Sequence, residues 1–437
     1  AFVANKIAKN FLGMNESFLH YVWQFQYFDK LDLRTTEGEE LTVFKTGSYN
    51  TDAGPDFLQA KIKIDQLEWA GSIEVHIKSS DWLAHQHTGN GAYENVILHV
   101  VWENNHPIVR NDGTAIPTIE LKHRVSKELL SKYAKLVNSS MNIACQSSFA
   151  EVASIIQLSM LDQAMMRRFE SKANEVKKLL HENQGDWEET TYQWLARCFG
   201  FKINSEPFFL LAKALPYKII RKHANNLLQL EALLFGQAGM LETKTKHEYI
   251  TALFKEYQFL GTKYSLMDSK LNPAQWKFLR LRPANFPTLR IAQFATLLQS
   301  QSGLFSQIIE GTKEQWRTLM DANPSEYWQT HYHFAKPSKR QEHALGEESK
   351  LVLMINAVIP ILVAYSKQTD NDALMEKAIN WLQALPAEKN RIISYWNSLG
   401  LQVQSAFDSQ ALIEQYNHFC NQRQCLNCAV GTSLIKP

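Results

Sequence analysis

The sequence predicts an α+β or α/β protein, in which a small mixed β-sheet domain is followed by a large all-α domain. Two changes of pattern predict this class. Before about residue 139, apolar and polar residues alternate in short runs, which is typical of β-strands. After that point, apolar residues recur every three or four positions, as on one face of an α-helix. We therefore expect a mixed domain over residues 14–138 and a helical domain over residues 139–437.

Size, composition and charge are those of an ordinary globular protein. The 437 residues, with a mass of 50.3 kDa, exceed what one simple core usually supports. Hydrophobic residues make up 45% of the chain and charged residues 21%, and the net charge is +2. Because the overall charge is close to neutral, affinity for nucleic acid would have to come from local clusters of basic residues.

We expect no membrane span, no signal peptide and no disulfide framework, so the predicted location is the cytoplasm. The longest apolar run, residues 351–365, is interrupted by Asn356 and Pro360 and is interpreted as a buried core helix. Residues 1–13 lack the apolar core of a signal peptide. The five cysteines are an odd number and three crowd the C-terminus, unlike a secreted disulfide framework. Nothing in the sequence indicates an oligomeric state.

The elements of the first domain are predicted in the order helix, three strands, short helix, two strands and helix. Asn15 stands where it can cap the first helix, and Gly47 marks a turn after the first strand. Short links between the first three strands favour antiparallel pairing. The expected elements are a helix over 14–28, strands over 40–45, 56–64 and 69–78, a short helix over 81–87, strands over 95–102 and 117–121, and a helix over 126–138.

The second domain is predicted to consist of helices separated by proline and glycine residues. The polar stretch 325–350, which is rich in His and Lys, is interpreted as a linker or flexible loop. The expected helices cover 150–182, 187–199, 207–234, 246–259, 272–281, 288–300, 303–321, 349–367, 371–385, 387–399 and 409–420.

The candidate catalytic residues lie on two neighbouring strands of the first domain. Glu74, His76 and Lys78 share one face of the third predicted strand, opposite three apolar residues. A Gly-Pro turn places Asp56 at the start of the second strand. Converging carboxylates are the ligands that Mg²⁺ prefers, so Asp56 and Glu74 are predicted to bind Mg²⁺. His76, helped by Lys78, would orient or deprotonate the attacking water. The alternative is a turn residue beside an exposed, charge-paired strand face.

This order of residues resembles the PD-(D/E)XK nuclease superfamily over residues 40–122. The shared features are the aspartate at the start of one strand and Glu74-Val75-His76 on the next. The resemblance implies a restriction-endonuclease-like domain that hydrolyses phosphodiester bonds of nucleic acid. His76 stands where the superfamily usually has lysine, and Lys78 on the same face could take over that role. A non-catalytic interaction protein that keeps a nuclease-derived sheet is the first alternative.

Histidines beside the same strand suggest a second alternative. His85 and His87 follow the strand within a few residues of His76, and imidazole is the commonest nitrogen ligand of zinc. The three residues could therefore form the metal site of a zinc-dependent hydrolase. His99 lies on the fourth predicted strand among apolar residues and is interpreted as a satisfied core histidine.

Basic residues of the second domain are candidates for binding the substrate. No acidic residue occurs between Ser269 and Ile309, whereas basic residues alternate there with aromatic ones. Such a segment could bind phosphate groups and stack on bases. The alternative is a rigid structural corner built around the prolines. The candidate substrate-binding residues are Lys277, Arg280, Arg282 and Arg290.

Three cysteines near the C-terminus are candidate ligands for a second metal. Cys420, Cys425 and Cys428 follow the pattern Cys-x4-Cys-x2-Cys, which suits zinc or an iron–sulfur cluster if a fourth ligand exists. The fourth ligand could be His418, which is near in sequence, or Cys145 or Cys198, which would have to fold back. Buried thiols without a metal are the alternative.

Several segments, taken together, resemble one uncharacterised bacterial family. They are residues 50–57, residues 71–82 with His85 and His87, residues 96–101, Phe-Gly-Gln-Ala-Gly at 235–239, Arg-Leu-Arg-Pro at 280–283 and Cys-Leu-Asn-Cys-Ala-Val-Gly at 425–431. The family is known as domain of unknown function 2851. The resemblance spans about Met14 to the C-terminus and implies no particular activity.

Overall fold

The computed structural model describes most of the chain. Residues 1–14, which include the expected start of the first helix, lie outside the described residues. So do positions 246 and 300, at the ends of two predicted helices. The described residues are 15–241, 247–299, 303–321, 323–334, 336–340 and 343–437.

Backbone contacts divide the chain into two compact units. The first contains the residues up to Ala164 together with Arg391–Leu401 and Leu412–Pro437. The second contains Met165–Asn390 and Gln402–Ala411. The sequence analysis assigned residues 139–437 as a whole to the helical domain. In the structure, the C-terminal segment with its cysteines belongs instead to the unit that holds the sheet.

The first unit contains the predicted mixed sheet. Its strand order is β1-β3-β4-β5-β6, with β2 also paired to β3. Strands β1 to β4 pair antiparallel, whereas β4, β5 and β6 run parallel to one another. The elements are α1 Glu16–Gln24, β1 Leu41–Lys45, β2 Ser48–Tyr49, β3 Phe57–Ile64, β4 Leu67–Lys78, α2 Asp81–Ala84, β5 Val96–Glu103, β6 Thr118–Glu120, α3 Lys127–Val137 and α4 Ser154–Glu182, which continues into the second unit.

Helix α1 packs against strands β4 and β5. Its first turn is capped as predicted, because Asn15 Oδ1 accepts a hydrogen bond of 3.0 Å from the Phe18 amide. Phe18, Val22 and Trp23 are fully buried against the sheet. The Trp23 indole also donates to the Thr46 carbonyl at 3.1 Å, which fixes the helix over the first strands. The polar side of α1 is therefore held beside the ends of β3 and β4.

Gly71 allows strands β4 and β5 to approach closely. A Cβ atom at this position would lie 2.5 Å from Ile97 Cγ2 and 2.6 Å from the Asn95 carbonyl oxygen. Only glycine fits without moving the strands. The resulting register aligns Glu74 with His99 on β5. On the other side of β4, Ile73 pairs with the first residue of β3, so Asp56 comes next to Glu74.

The second unit is mostly helical, as predicted, but it also contains a small sheet. A two-stranded antiparallel sheet, β7–β8, interrupts it. Its elements are α5 Trp187–Phe199, α6 Ser205–Ala214, α7 Tyr217–Lys222, α8 Leu227–Gln237, α9 Glu248–Lys263, α10 Pro287–Leu298, α11 Leu304–Glu310, α12 Lys313–Leu319, β7 His331–His333, β8 Lys336–Pro337, α13 Glu347–Leu353, α14 Ile359–Thr369 and α15 Asp372–Ala384. Three further helices complete the chain: α16 Arg391–Ser398, α17 Ala406–Glu414 and α18 Ala429–Ile435. Helices α16 and α18 belong to the first unit, and α17 begins in the second unit and ends in the first.

Two predictions for the second unit are wrong. The stretch 325–350 is not a linker, because Tyr327 and Trp328 are buried and β7 and β8 follow them. Because most residues of this stretch are polar, its composition did not indicate that these two aromatic residues are buried. The helix predicted over 272–281 is reduced to one 3-10 turn at Pro273–Gln275. Proline lacks the amide hydrogen that an α-helix needs, and Pro273 and Pro283 bound this segment.

The apolar run 351–365 forms a core helix, as expected. Helices α13 and α14 are joined by a π-helical turn at Met354–Val358 into one segment, Glu347–Thr369. Among the described residues this segment alone has the length and hydropathy of a membrane-crossing helix. Since 72% of its apolar window is buried inside the protein, it has the burial of a core helix.

Candidate metal centre in the sheet domain

Three histidines of the first unit converge at the carboxyl end of β4. The ligand atoms of His76, His85 and His87, named here the histidine cluster, all lie within 4.8 Å of one another. His76 Nε2 lies 3.1 Å from His85 Nδ1. The Glu74 carboxylate joins them, since its Oε1 lies 3.2 Å from His87 Nε2 and 3.5 Å from His76 Nε2. The three imidazoles therefore converge, and the Glu74 carboxylate lies beside two of them.

The local chain path brings the two later histidines back to the strand. Helix α2 begins directly after β4, and Asp81 Oδ2 accepts a hydrogen bond of 2.9 Å from the Lys78 amide, which fixes the turn. Gln86, between the two histidines, adopts a left-handed φ of 59°. The chain thereby turns back so that His85 and His87 both reach His76. His85 is exposed, whereas the other two are buried, so the open side of the cluster is at His85.

Aromatic rings hold the buried imidazoles in place. Trp82 is 2% exposed, and its ring contacts those of His87 and His99 edge-on at centroid distances of 5.3 and 5.4 Å. Tyr93 stacks on His87 at 3.8 Å. The Trp82 indole is satisfied by Thr88 Oγ1 at 3.0 Å. The histidine cluster is thus packed into a small aromatic core.

His99 orients His76 from the neighbouring strand. The Nε2 atom of His99 lies 2.8 Å from His76 Nδ1, which leaves His76 Nε2 directed at Glu74 and His85. Holding one ring nitrogen in a hydrogen bond is how proteins fix the tautomer and orientation of a metal-ligating histidine. The prediction that His99 lies in the core is correct, and its contact with His76 gives it a positioning role.

The two predicted carboxylates lie side by side. The Asp56 amide donates to Glu74 Oε2 at 3.1 Å, and the Val75 amide donates to Asp56 Oδ2 at 3.0 Å. Asp56 Oδ2 also lies 3.3 Å from His20 Nε2 on helix α1. The adjacency of Asp56 and Glu74 follows from the register of β3 and β4. Each carboxylate also contacts a histidine, which the sequence analysis did not predict for Asp56.

Two residues of helix α1 that were not assigned to the site lie beside it. Glu16 and His20 lie four positions apart on one face of the helix, the spacing at which helical side chains are neighbours. Burial raises the pKa of Glu16. The His85 and His20 side chains lower this pKa, and the Asp56 charge raises it. The spacing of Glu16 and His20 on one face of a predicted helix was the only sequence feature that pointed to them. The sequence alone could not place that helix beside the strands.

Burial gives the histidines of the site the neutral state that metal ligands require. It lowers the pKa of His76 to about 2 and that of His99 to about 3, so both imidazoles are neutral. The pKa of His87 is also lowered by burial. In contrast, burial and then the Asp56 charge raise the pKa of Glu74 to about 9. A cation at this position would offset the cost of ionising Glu74.

The other predicted site residues do not join this cluster. The Lys78 ammonium makes no hydrogen bond or ion pair with any residue that the structure describes. Lys277, Arg280 and Arg282 are exposed residues of the second unit. Arg290 is only 6% exposed and donates to Asn285, Gln293 and Ser349. These contacts are those of the structural corner that was the alternative, and substrate binding by Arg290 stays a prediction.

The three C-terminal cysteines are buried in the first unit, in a separate site. Cys420, Cys425 and Cys428 line one small cavity, and Cys145 lines it with them. Of the other candidate fourth ligands, Cys198 belongs to the second unit. His418 Nε2 lies 3.6 Å from a Glu414 carboxylate oxygen.

Comparison with known proteins gives one family. A family model described as "Protein of unknown function (DUF2851)" matches residues 16–391. The matched range contains every residue of the histidine cluster and ends before the C-terminal cysteines, although the expected resemblance extended through them. Neither a curated protein nor a solved structure matches the chain.

Proposed function

Because the chain belongs to the DUF2851 family, whose description names no activity, we propose its function from the site itself: a metal-dependent hydrolase. One observation carries the proposal. The ligand atoms of His76, His85 and His87 lie within 4.8 Å of one another, and Glu74 Oε1 lies beside those of His76 and His87. The cluster is open to solvent at His85, so water can reach a bound ion, as in catalytic metal sites and unlike closed structural ones.

The ligand types favour a transition metal over Mg²⁺. Imidazole suits zinc and other late first-row ions, whereas Mg²⁺ is bound mainly through oxygen atoms and water. We therefore assign His76, His85, His87 and Glu74 as ligands of Zn²⁺ or a similar ion. Such an ion, when bound, supplies a Lewis acid that activates water at neutral pH.

Asp56 and His20 are the proton-transfer groups in this proposal. Asp56 is linked to Glu74 through its own amide and contacts His20 Nε2 at 3.3 Å, so the pair stands next to the ligands. A carboxylate beside an imidazole can accept a proton from water and hold it. His99 remains a positioning residue, because its contact in the cluster is with His76.

We propose phosphodiester bonds of nucleic acid as the substrate. The support is the strand order around the site. Asp56 precedes β3, Glu74 and His76 lie on the adjacent β4, and β4 pairs parallel with β5. A restriction-endonuclease-like domain of the PD-(D/E)XK type would have its carboxylates at these places. Exposed Lys277, Arg280 and Arg282 of the second unit are candidate contacts to phosphate groups.

A second candidate is a Mg²⁺-dependent nuclease that uses the carboxylates alone. The grouping of Glu16, Asp56 and Glu74 favours it, since the Asp56 charge contributes to the raised pKa of each of the other two. In that case the histidine cluster would play no part in binding the ion. The two candidates predict opposite effects of removing His85.

An activity assay tests the proposal and separates the two candidates. The full chain is incubated with Zn²⁺, Mn²⁺ or Mg²⁺ and with single- and double-stranded DNA and RNA. We expect hydrolysis with Zn²⁺ or Mn²⁺ that is lost in His85→Ala and retained in His123→Ala, a matched change of an exposed histidine. Hydrolysis with Mg²⁺ that survives His85→Ala would support the carboxylate site. Ion binding without hydrolysis of any substrate would leave the non-catalytic interaction protein.

A further inference from the structure

Four of the five cysteines line one cavity in the first unit. Cys145, Cys420, Cys425 and Cys428, named here the cysteine pocket, line one small cavity. Each is at most 9% exposed, and none forms a disulfide. Cys145 is separated from the other three by more than 270 positions in the chain, so folding alone brings the set together. Four buried thiols around one space are typical of a bound metal group.

A single arginine fastens together the two chain segments that supply these cysteines. The Arg423 guanidinium donates to the carbonyls of Ser139 and Met141, in each case at 2.7 Å, and these residues lie shortly before Cys145. It also donates to the Cys420 carbonyl at 3.1 Å. The Arg423 backbone adopts a left-handed φ of 56°. The contacts hold the loop before Cys145 against the loop that carries the three C-terminal cysteines.

Hydrogen-bond donors are directed at the sulfur atoms. Gln415 Nε2 lies 3.1 Å from Cys428 Sγ and 3.9 Å from Cys420 Sγ. Hydrogen bonds to sulfur stabilise thiolates and adjust the reduction potential of an iron–sulfur cluster. A pocket lined by protonated thiols alone would gain little from such donors.

The distances between the sulfur atoms discriminate between one ion and a cluster. Tetrahedral zinc, with Zn–S bonds of about 2.3 Å, would bring its four sulfurs to within roughly 3.8 Å of one another. Within the described part of the chain, no three of these sulfurs lie within 4.8 Å of one another. A cluster spreads its cysteine ligands over several iron atoms, so its sulfurs lie farther apart.

We infer that Cys145, Cys420, Cys425 and Cys428 bind an iron–sulfur cluster, independently of the proposed hydrolase centre. The fourth ligand that the sequence left open is Cys145. The pocket does not suit a reactive thiol, since all four thiols are buried. Binding iron would replace the thiol protons and add the positive charge that the buried sulfurs lack.

The fifth cysteine provides a matched control. Cys198 lies in the second unit, where its thiol donates to the Asn356 carbonyl at 3.3 Å. A serine at this position keeps a donor for the same carbonyl. Cys198→Ser therefore removes one thiol from the protein and leaves the cysteine pocket intact.

The test is to purify the full chain without oxygen and to measure iron, acid-labile sulfide and zinc. We expect iron and sulfide in comparable amounts, with a broad visible absorption that reduction bleaches. Cys145→Ser and Cys420→Ser should each lose most of this iron, whereas Cys198→Ser and His85→Ala should retain it. Retention in His85→Ala makes the result independent of the proposed hydrolase. Circular dichroism spectra compare the folding of all variants.

Three outcomes would overturn the inference. The first is a protein without iron or sulfide after chemical reconstitution under the same conditions. The second is zinc in place of iron that is lost in Cys420→Ser and retained in His85→Ala, which would make the pocket a single-ion site. The third is a folded Cys145→Ser variant that keeps the iron content of the wild type, which would remove Cys145 from the ligand set.

Discussion

His76 Nε2 and His85 Nδ1 face each other at 3.1 Å, and the other ring nitrogen of His76 is held by His99 at 2.8 Å. Nine positions separate the two histidines in the chain, and helix α2 lies between them. The contact with His99 orients the His76 ring. His76 Nε2 is then available to bind an ion together with nitrogen atoms of His85 and His87.

Replacing His99 should weaken metal binding although His99 is not a ligand. Loss of the contact to His76 Nδ1 frees the ring to rotate, and such outer partners typically contribute about 10–100-fold to metal affinity. We expect a loss of that size in His99→Leu and a smaller loss in His99→Gln, which keeps a hydrogen-bonding side chain. Zinc affinity measured by competition with a chelating dye checks this. Equal affinity in His99→Leu and the wild type would refute the positioning role.

Metal binding should release a proton from Glu74. With its pKa raised to about 9, Glu74 is protonated at pH 7 in the metal-free protein and must ionise when it binds the ion. The wild type should therefore release about one proton more than Glu74→Gln at pH 7. This difference should vanish as the pH rises above about 9, where Glu74 is already ionised. Calorimetry in buffers of different ionisation enthalpy measures it, and equal release by both proteins would contradict the assignment.

Trp82 should be important for the stability of the site. Its ring is 2% exposed and contacts the imidazoles of His87 and His99, so Trp82→Ala leaves a cavity beside the histidine cluster. We expect a loss of about 3–5 kcal/mol in the free energy of unfolding, measured by urea denaturation. Thr88→Ala, which removes only the hydrogen bond to the indole, should cost about 1 kcal/mol. Similar small losses in both variants would show that the aromatic packing contributes little.

Local patterns predicted the part of the site that lies on one strand. The alternation around Glu74 and His76 fixes which side chains share a face, and the turn before Asp56 places it at a strand start. His85 and His87 were proposed as ligands because they follow that strand closely. Residues that are close in the chain in this way are also close in the structure, so the sequence pattern can predict that they meet.

Residues that meet through tertiary packing were less predictable. His20 contacts Asp56 only because helix α1 packs across the sheet, and His99 reaches His76 only through the register of β4 and β5. Cys145 was one of three open choices for a fourth ligand, since the return of the C-terminus to the first unit has no local signature. The burial of Arg290 was also not predicted, because it depends on partners that the sequence does not pair with it.

The most direct test of the central claim is a zinc titration of the full chain by calorimetry, comparing wild type with His85→Ala and His123→Ala. His85 is exposed, so its removal should not impair folding. The account predicts that His85→Ala binds one ion fewer than the wild type, or binds it at least roughly 100-fold more weakly. His123→Ala should match the wild type. Unchanged zinc stoichiometry and affinity in His85→Ala would contradict the proposed metal centre.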